Sequence, residues 1–270
     1  MMRGRRGSLI EATWSALASE AETDGGTGPP VGFDPGTVDE LPDPARRFLL
    51  RALPAGTPLH SAVELVMEGR IRLGRRWFPF RAEQILRAGV GFVWAPVVGG
   101  RIIRFTGADL LGPDGARTEF RLHGWIPVVR ADGPTVARSA AGRLAAETVA
   151  WLPQALTPQA GAAWTAIDDD RAEVGVDAAG EAVPVEVTVD GDGTILALAL
   201  ERWNDANGPP GPAPFGGSVG GLHVTRDGVA IAGSGVVGWD WGTPNEADGV
   251  FFVYHITSAR FPGSTPRVRR

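Results

Sequence analysis

From residue 63 the chain alternates. Val63, Leu65, Met67, Ile71 and Leu73 are interleaved with Glu64, Glu68, Arg70 and Arg72, the period of two that a strand shows when one face is buried and the other wet. Similar runs recur near 77–86, 90–97, 101–109 and 118–126. The connections among the first four are too short for a parallel crossover, which needs a dozen or more residues, so these strands are expected as antiparallel neighbours in a meander.

At the Asp132-Gly133-Pro134 corner the period changes. Ala141, Leu144, Ala145, Thr148, Val149 and Leu152 fall at i, i+3, i+4 spacing, which predicts one central helix over about 136–152, stopped by Pro153. Ser139, Arg143 and Glu147, spaced by four, form a separate polar stripe. A helix this short is marginal alone, so its apolar stripe must pack on the sheet.

Strands resume near 162–167, 171–177, 183–190, 195–203, 222–226, 229–240 and 250–261. Val183, Val185, Val187 and Val189 alternate with Pro184, Glu186 and Thr188, and the VDGDGT turn joins them to Leu196, Leu198 and Leu200 in a hairpin. The Pro- and Gly-rich segment 204–217 reads as a mobile loop, a lid or a disordered span. Upstream, Leu9, Ile10, Trp14 and Leu17 mark a short helix near 8–19, 21–42 reads as a linker, and Asp43-Pro44 opens a second helix with Phe48, Leu49 and Leu53 on its apolar edge.

The fold class is therefore mainly β (α+β): a large curved antiparallel sheet or incomplete β-barrel with one central inserted helix and short N-terminal helices. About a dozen antiparallel strands in one sheet must curl, close or split, and a closed barrel of lipocalin type is the alternative. The expected organisation is a helix and linker over 1–40, a single antiparallel β domain over 41–261 and a tail over 262–270.

Composition removes several functions. A net charge of −5 and a pI near 5.4 give no field for a polyanion over the whole surface, so nucleic acid is not expected as a partner. With no cysteine, thiolate nucleophiles and sulfur-ligated zinc are excluded. No apolar run approaches the roughly 20 residues that span a bilayer. The N-terminal apolar stretch is broken by Glu11, so no export signal is expected. The reading is a soluble, cytoplasmic protein of open oligomeric state, with a docked or frayed terminal helix preferred over one that lies on a membrane.

Two motifs carry less than they suggest. Gly216-Gly217-Ser218-Val219-Gly220 has the spacing of a nucleophile elbow and Gly233-Ser234-Gly235-Val236-Val237-Gly238 that of a dinucleotide loop, but neither leads into a helix. His60, His123, His223 and His255 are scattered, and Asp168 to Asp170 and Asp190 to Asp192 sit in turns without a complete ligand spacing. No metal and no cofactor is expected.

The candidate ligand-binding residues are Ser139, Arg143, Glu147, His123, Trp239 and Trp241. The helix stripe is read first as a wet outer face. Its sharper reading faces the strand ends or a cavity mouth, with Arg143 paired to Glu147 or to a strand carboxylate. Period two groups His123 with Glu119, Arg121 and Trp125 on one face. Among the nine tryptophans, those near strand ends suit core packing, and some suit a cavity wall.

The stretch IPVVRADGPTVARSAAGRLAAE followed by WLPQAL, together with PFGG and DGVFFVYHI, resembles a family of bacterial proteins of uncharacterised function, over about 41–261. That resemblance implies no activity. The strand-helix-strand order also resembles the half-barrel of lipoprotein carrier and sorting proteins, in which an apolar cavity holds acyl chains under helical lids; the likeness is one of architecture. The preferred function is the binding of a lipid or other hydrophobic small molecule in the concave face of the sheet. The alternatives are an enzyme acting on such a ligand through Arg143, Glu147 and His123, and a structural or interaction domain with a filled core. A cavity facing the helix separates the first two from the third.

Overall fold

The computed structural model describes residues 8–23, 31–204 and 210–262. The elements are α1 (Ser8–Thr23), α2 (Asp43–Ala52), β1 (Ala62–Leu73), β2 (Arg76–Arg87), β3 (Gly91–Gly99), β4 (Arg104–Gly112), β5 (Gly115–Leu122), β6 (Ile126–Asp132), α3 (Pro134–Trp151), β7 (Trp164–Ala166), β8 (Arg171–Ala178), β9 (Glu181–Val189), β10 (Ile195–Asn204), β11 (Gly211–Val224), β12 (Ala230–Trp239), α4 (Glu246–Gly249) and β13 (Val250–Arg260).

All thirteen strands join one sheet in the order β6-β5-β4-β3-β2-β1-β13-β12-β11-β10-β9-β8-β7, and every neighbouring pair is antiparallel. Each half is a meander, and β1 against β13 fuses the two, with Ile71 opposite Phe252. The sheet is open, so the lipocalin-like closure is not adopted. Its edges are blunted: β7 has only three residues, and β6 carries Pro127, Arg130 and a register shift between Phe120 and Arg121 on its partner.

α3 links these two edges and lies against both arms of the sheet, touching β2 to β6 on one side and β8, β9, β10 and β12 on the other. All six residues of the predicted apolar stripe are buried, and so are Ala140, Gly142, Ala146, Ala150 and Trp151. Small residues on nearly every side let the sheet approach the helix closely.

α2 covers one end of the concavity, burying Phe48 and Leu49. The Arg47 guanidinium donates to the Asp190 carbonyl at 2.5 Å, and Pro54 packs on Gly228. On the convex face α1 docks through Leu17 against Ile85, Val93 and Leu110, and the Trp14 indole donates to Glu64 at 3.3 Å.

Several expectations change. The segment after residue 122 is a separate strand, because His123 (φ 53°) and Gly124 (φ 84°) reverse the chain in a left-handed turn; β6 is exposed on both faces, so it shows no alternation to read. Residues 211–217 of the supposed loop belong to β11. Pairing with β12 begins only at Phe215, so Pro212 and Pro214 lie where the strand has a single neighbour and proline is tolerated. Leu196 is exposed because the register shifts between Ile195 and Ala197. Within the supposed linker, Phe33 and Val38 are buried in the main core. The remaining linker residues 24–30, loop residues 205–209 and tail residues 263–270 lie outside the described residues.

Leu144 has no exposed surface at the centre of α3. Leu144→Ala should lower stability by about 2 to 5 kcal/mol in urea unfolding, the cost of a core truncation that cannot collapse.

Candidate functional site

Between α3 and the sheet lies a cavity of about 590 Å³. The sheet side is aromatic and aliphatic, with Trp94, Phe105, Phe120, Phe215, Trp239 and Phe252 prominent. The helix side carries Ser139, Arg143 and Glu147, with Ala146 and Ala150 beside them. The two alanines are what leave the space: larger side chains at those positions would fill it.

The partners of Arg143 and Glu147 come from one row of the sheet. Gln84, Trp94, Asp109 and Thr118 stand opposite one another across β2, β3, β4 and β5. Arg143 Nε donates to Glu147 Oε1 at 2.7 Å, and Nη1 donates to Asp109 Oδ2 at 2.6 Å. Gln84 Nε2 donates to Glu147 Oε2 at 2.6 Å, and the Thr118 hydroxyl donates to Asp109 Oδ1 at 2.8 Å. The guanidinium also stacks over Phe92 at 4.4 Å. From the opposite arm, Arg202 Nε donates to the Ser139 carbonyl at 2.9 Å and lies over Phe215 and Trp239. Gly142 makes this crossing feasible, since a Cβ there would meet Arg202 Cγ at 2.8 Å.

The side chains of Arg143, Asp109 and Glu147 are only 16%, 22% and 13% exposed. Burial opposes charge on Arg143, but the two carboxylates together outweigh it and raise the guanidinium pKa further. Burial pushes the Glu147 carboxyl above its usual value, against the attraction of Arg143 and the Gln84 hydrogen bond. Burial first, and then the charge on Glu147, hold the Tyr254 phenol well above its ordinary range. The Trp94 indole N–H, also in the cavity wall, has no acceptor among the described residues.

The structure thus turns Ser139, Arg143 and Glu147 inward; the wet-face reading fails because α3 is enclosed by both arms of the sheet. Trp239 joins them in the cavity wall. Trp241 does not line it but packs on Gly216, where a Cβ would come within 2.4 Å of the ring. His123 sits in the β5–β6 turn, beside Arg101 and Arg104 in a shallow surface depression, because the turn takes it off the face it was expected to share with Glu119. Ser218 lines the cavity from within β11, and no group of three metal-ligating side chains occurs among the described residues.

Gln84, Asp109 and Arg202 were missed. Each lies in the apolar phase of its strand, Gln84 with Phe80, Ala82 and Leu86, Asp109 with Phe105 and Leu111, Arg202 with Leu198 and Leu200. A polar residue on the buried phase was the signal available.

Fold and site together define a half-barrel: an open antiparallel sheet wrapped around one helix, with an apolar cavity between them. The chain belongs to a family of unknown function (DUF6544), which it matches over residues 32–248. No curated protein matches it. Among solved structures it is similar to a LolA superfamily protein from Nitrosomonas europaea, at 7% identity over 94% of this chain and 95% of that one, with a TM-score of 0.41. It is also similar to a DUF1329 family protein from Desulfovibrio piger, at 12% identity over 83% of this chain and 92% of that one, with a TM-score of 0.33.

Two predictions follow from the charge cluster. Arg143→Ala leaves two half-desolvated carboxylates facing each other and should cost about 3 kcal/mol, the lower end for a broken buried pair. Glu147→Ala should cost less, because Asp109 still pairs with Arg143. The double variant should lose less than the sum of the two in urea unfolding.

The second concerns pH. A carboxyl raised in the fold holds its proton more tightly folded than unfolded, so its contribution is full below the ordinary value of 4.5 and is lost as pH rises through the higher folded value. Glu147→Gln should therefore gain stability relative to the wild type as pH rises from about 4.5 through the higher folded value, and keep that gain above it, measured by denaturant titration across the range.

Proposed function

We propose that the protein binds a hydrophobic small molecule of lipid type, with its apolar body in the cavity and its polar end toward the Arg143, Arg202 and Trp94 side. The observation that carries this reading is the cavity itself. Its volume of about 590 Å³ falls within the range of roughly 300 to 1,000 Å³ typical of small-molecule sites, and its wall has the usual make-up of apolar surface with a few convergent polar groups. A domain whose only task was structural would be expected to fill this space. An enzyme acting on the same ligand is the second reading, favoured by the raised Glu147 carboxyl. Both oxygens of that carboxylate are already engaged, by Arg143 and Gln84, so binding is the reading the geometry supports best.

Delipidated protein should bind a fluorescent long-chain amphiphile saturably. Trp239→Ala, which removes a large apolar wall, should weaken binding about tenfold, and Ala146→Leu, which fills the cavity from the helix, should weaken it at least as much. Trp241→Ala should leave affinity unchanged. Absence of saturable binding across fatty acids, isoprenoids and phospholipids would remove the proposal.

A further inference from the structure

Three hairpin tips of the N-terminal arm lie at the same end of the sheet. The turns close at Leu73 opposite Arg76, Gly99 opposite Arg104, and Leu122 opposite Ile126. The last two touch directly, because the His123 amide donates to the Arg104 carbonyl at 2.7 Å. Each tip exposes apolar side chains: Leu73 at 40%, Ile102 at 87% and Trp125 at 71%. Ile103 and Ile126 are exposed beside them.

The same tips concentrate positive charge in a chain whose net charge is −5. Segments 72–76, 101–104 and 121–126 hold Arg72, Arg75, Arg76, Arg101, Arg104 and Arg121, and no Asp or Glu. Arg121 is paired with Glu119 at 2.8 Å, and Arg72 reaches the Asp248 carbonyl. Among the described residues no carboxylate pairs with Arg75, Arg76, Arg101 or Arg104. The connection between β12 and β13 stands at the same end, where the Asp248 carbonyl meets Arg72, and carries Asp240, Glu246 and Asp248. The excess of arginine is therefore clearest at the 101–104 tip, which β1 and β2 separate from that connection.

The cavity opens at this end. Leu73, Val128 and Val129 both line it and are exposed, and its wall is drawn from the tip-proximal parts of the strands, such as Ile71, Val98 and Phe105. Isolated isoleucines and a tryptophan on turn tips, ringed by arginines, suit the headgroup region of a bilayer: the apolar groups enter shallowly, the tryptophan sits at the interface, and the arginines meet anionic lipid. Among the described residues no helix is long and apolar enough to cross a membrane.

We propose that the three hairpin tips dock on an anionic membrane surface and place the cavity mouth against it, so that an apolar ligand passes between bilayer and cavity without crossing water. Docking goes beyond ligand binding and is measured without a ligand.

The experiment is vesicle flotation of the full chain, comparing phosphatidylcholine alone with phosphatidylcholine containing phosphatidylglycerol. The wild type should float with the anionic vesicles and much less with the neutral ones, and added salt should weaken the association. Arg101→Glu with Arg104→Glu should weaken anionic binding by about tenfold or more. Trp125→Ala with Ile102→Ala should weaken it as well, with circular dichroism unchanged in both. Arg3, Arg5 and Arg6 are common to every variant, so differences report the tips. Ala146→Leu should float like the wild type, which separates docking from occupancy of the cavity. Wild-type protein that stays unbound, or charge-reversed protein that floats as well as wild type, would overturn the proposal. Retention on polyglutamate beads without flotation would overturn it too, and would assign the tips to an acidic protein face.

Discussion

The architecture depends on one connection. The chain leaves the sheet at one edge, β6, and re-enters at the opposite edge, β7, and the segment between is mainly a helix of 18 residues. Thirteen strands laid flat would span about 58 Å, at about 4.8 Å per neighbour. The helix covers only about 27 Å. The helix thus spans about half the width of a flat sheet, and the sheet curls around it so that both arms meet it.

Once the helix is inside, its sequence is constrained all round. Alanine and glycine at 140–142, 145, 146 and 150 keep it thin enough for both arms to reach it. Its charged stripe then has little water to face and needs partners supplied by the sheet. The row Gln84, Trp94, Asp109 and Thr118 supplies them. Because side chains alternate along a strand, a slip of one residue in β2 or β4 would swing Gln84 or Asp109 to the convex face. The hydrogen bonds to Arg143 and Glu147 therefore act as a register pin as well as a charge pair, and the same row forms part of the cavity wall.

Much of this was legible in the residues, and the failures share a cause. Alternation located most of the strands, and i, i+3, i+4 spacing located α3 to within two residues of its observed start. Pattern failed wherever both faces of an element meet the same environment. β6 is exposed on both sides and α3 is buried on nearly all sides, so neither reports its surroundings through period. The inward turn of Arg143 and Glu147 depends on the topology of the β6-to-β7 link, which one chain's hydropathy does not contain. Asp109 and Gln84 did leave a trace, as polar residues on the buried phase of apolar strands.

The size of the cavity limits what the fold can do with it. A sealed, dry void of about 590 Å³ would cost about 14 kcal/mol at about 24 cal/mol per Å³, as much as the whole stability of an ordinary domain. The protein does not carry that penalty, because the space is not sealed. Leu73, Val128 and Val129 belong at once to the wall and to the outer surface, so the interior communicates with whatever lies at the hairpin tips. The wall also resists collapse. Phe80, Trp94 and Phe252 brace one another with centroids 4.8 to 5.9 Å apart, and Phe215 meets Trp239 at 5.0 Å. Rigid rings on the sheet side and alanines on the helix side keep apolar surface apart that would otherwise close on itself. Apolar area held open in this way is stabilised by any apolar molecule that enters, and among the described residues Leu73, Val128 and Val129 bring its wall to the surface near the tips, where the arginines and Trp125 stand.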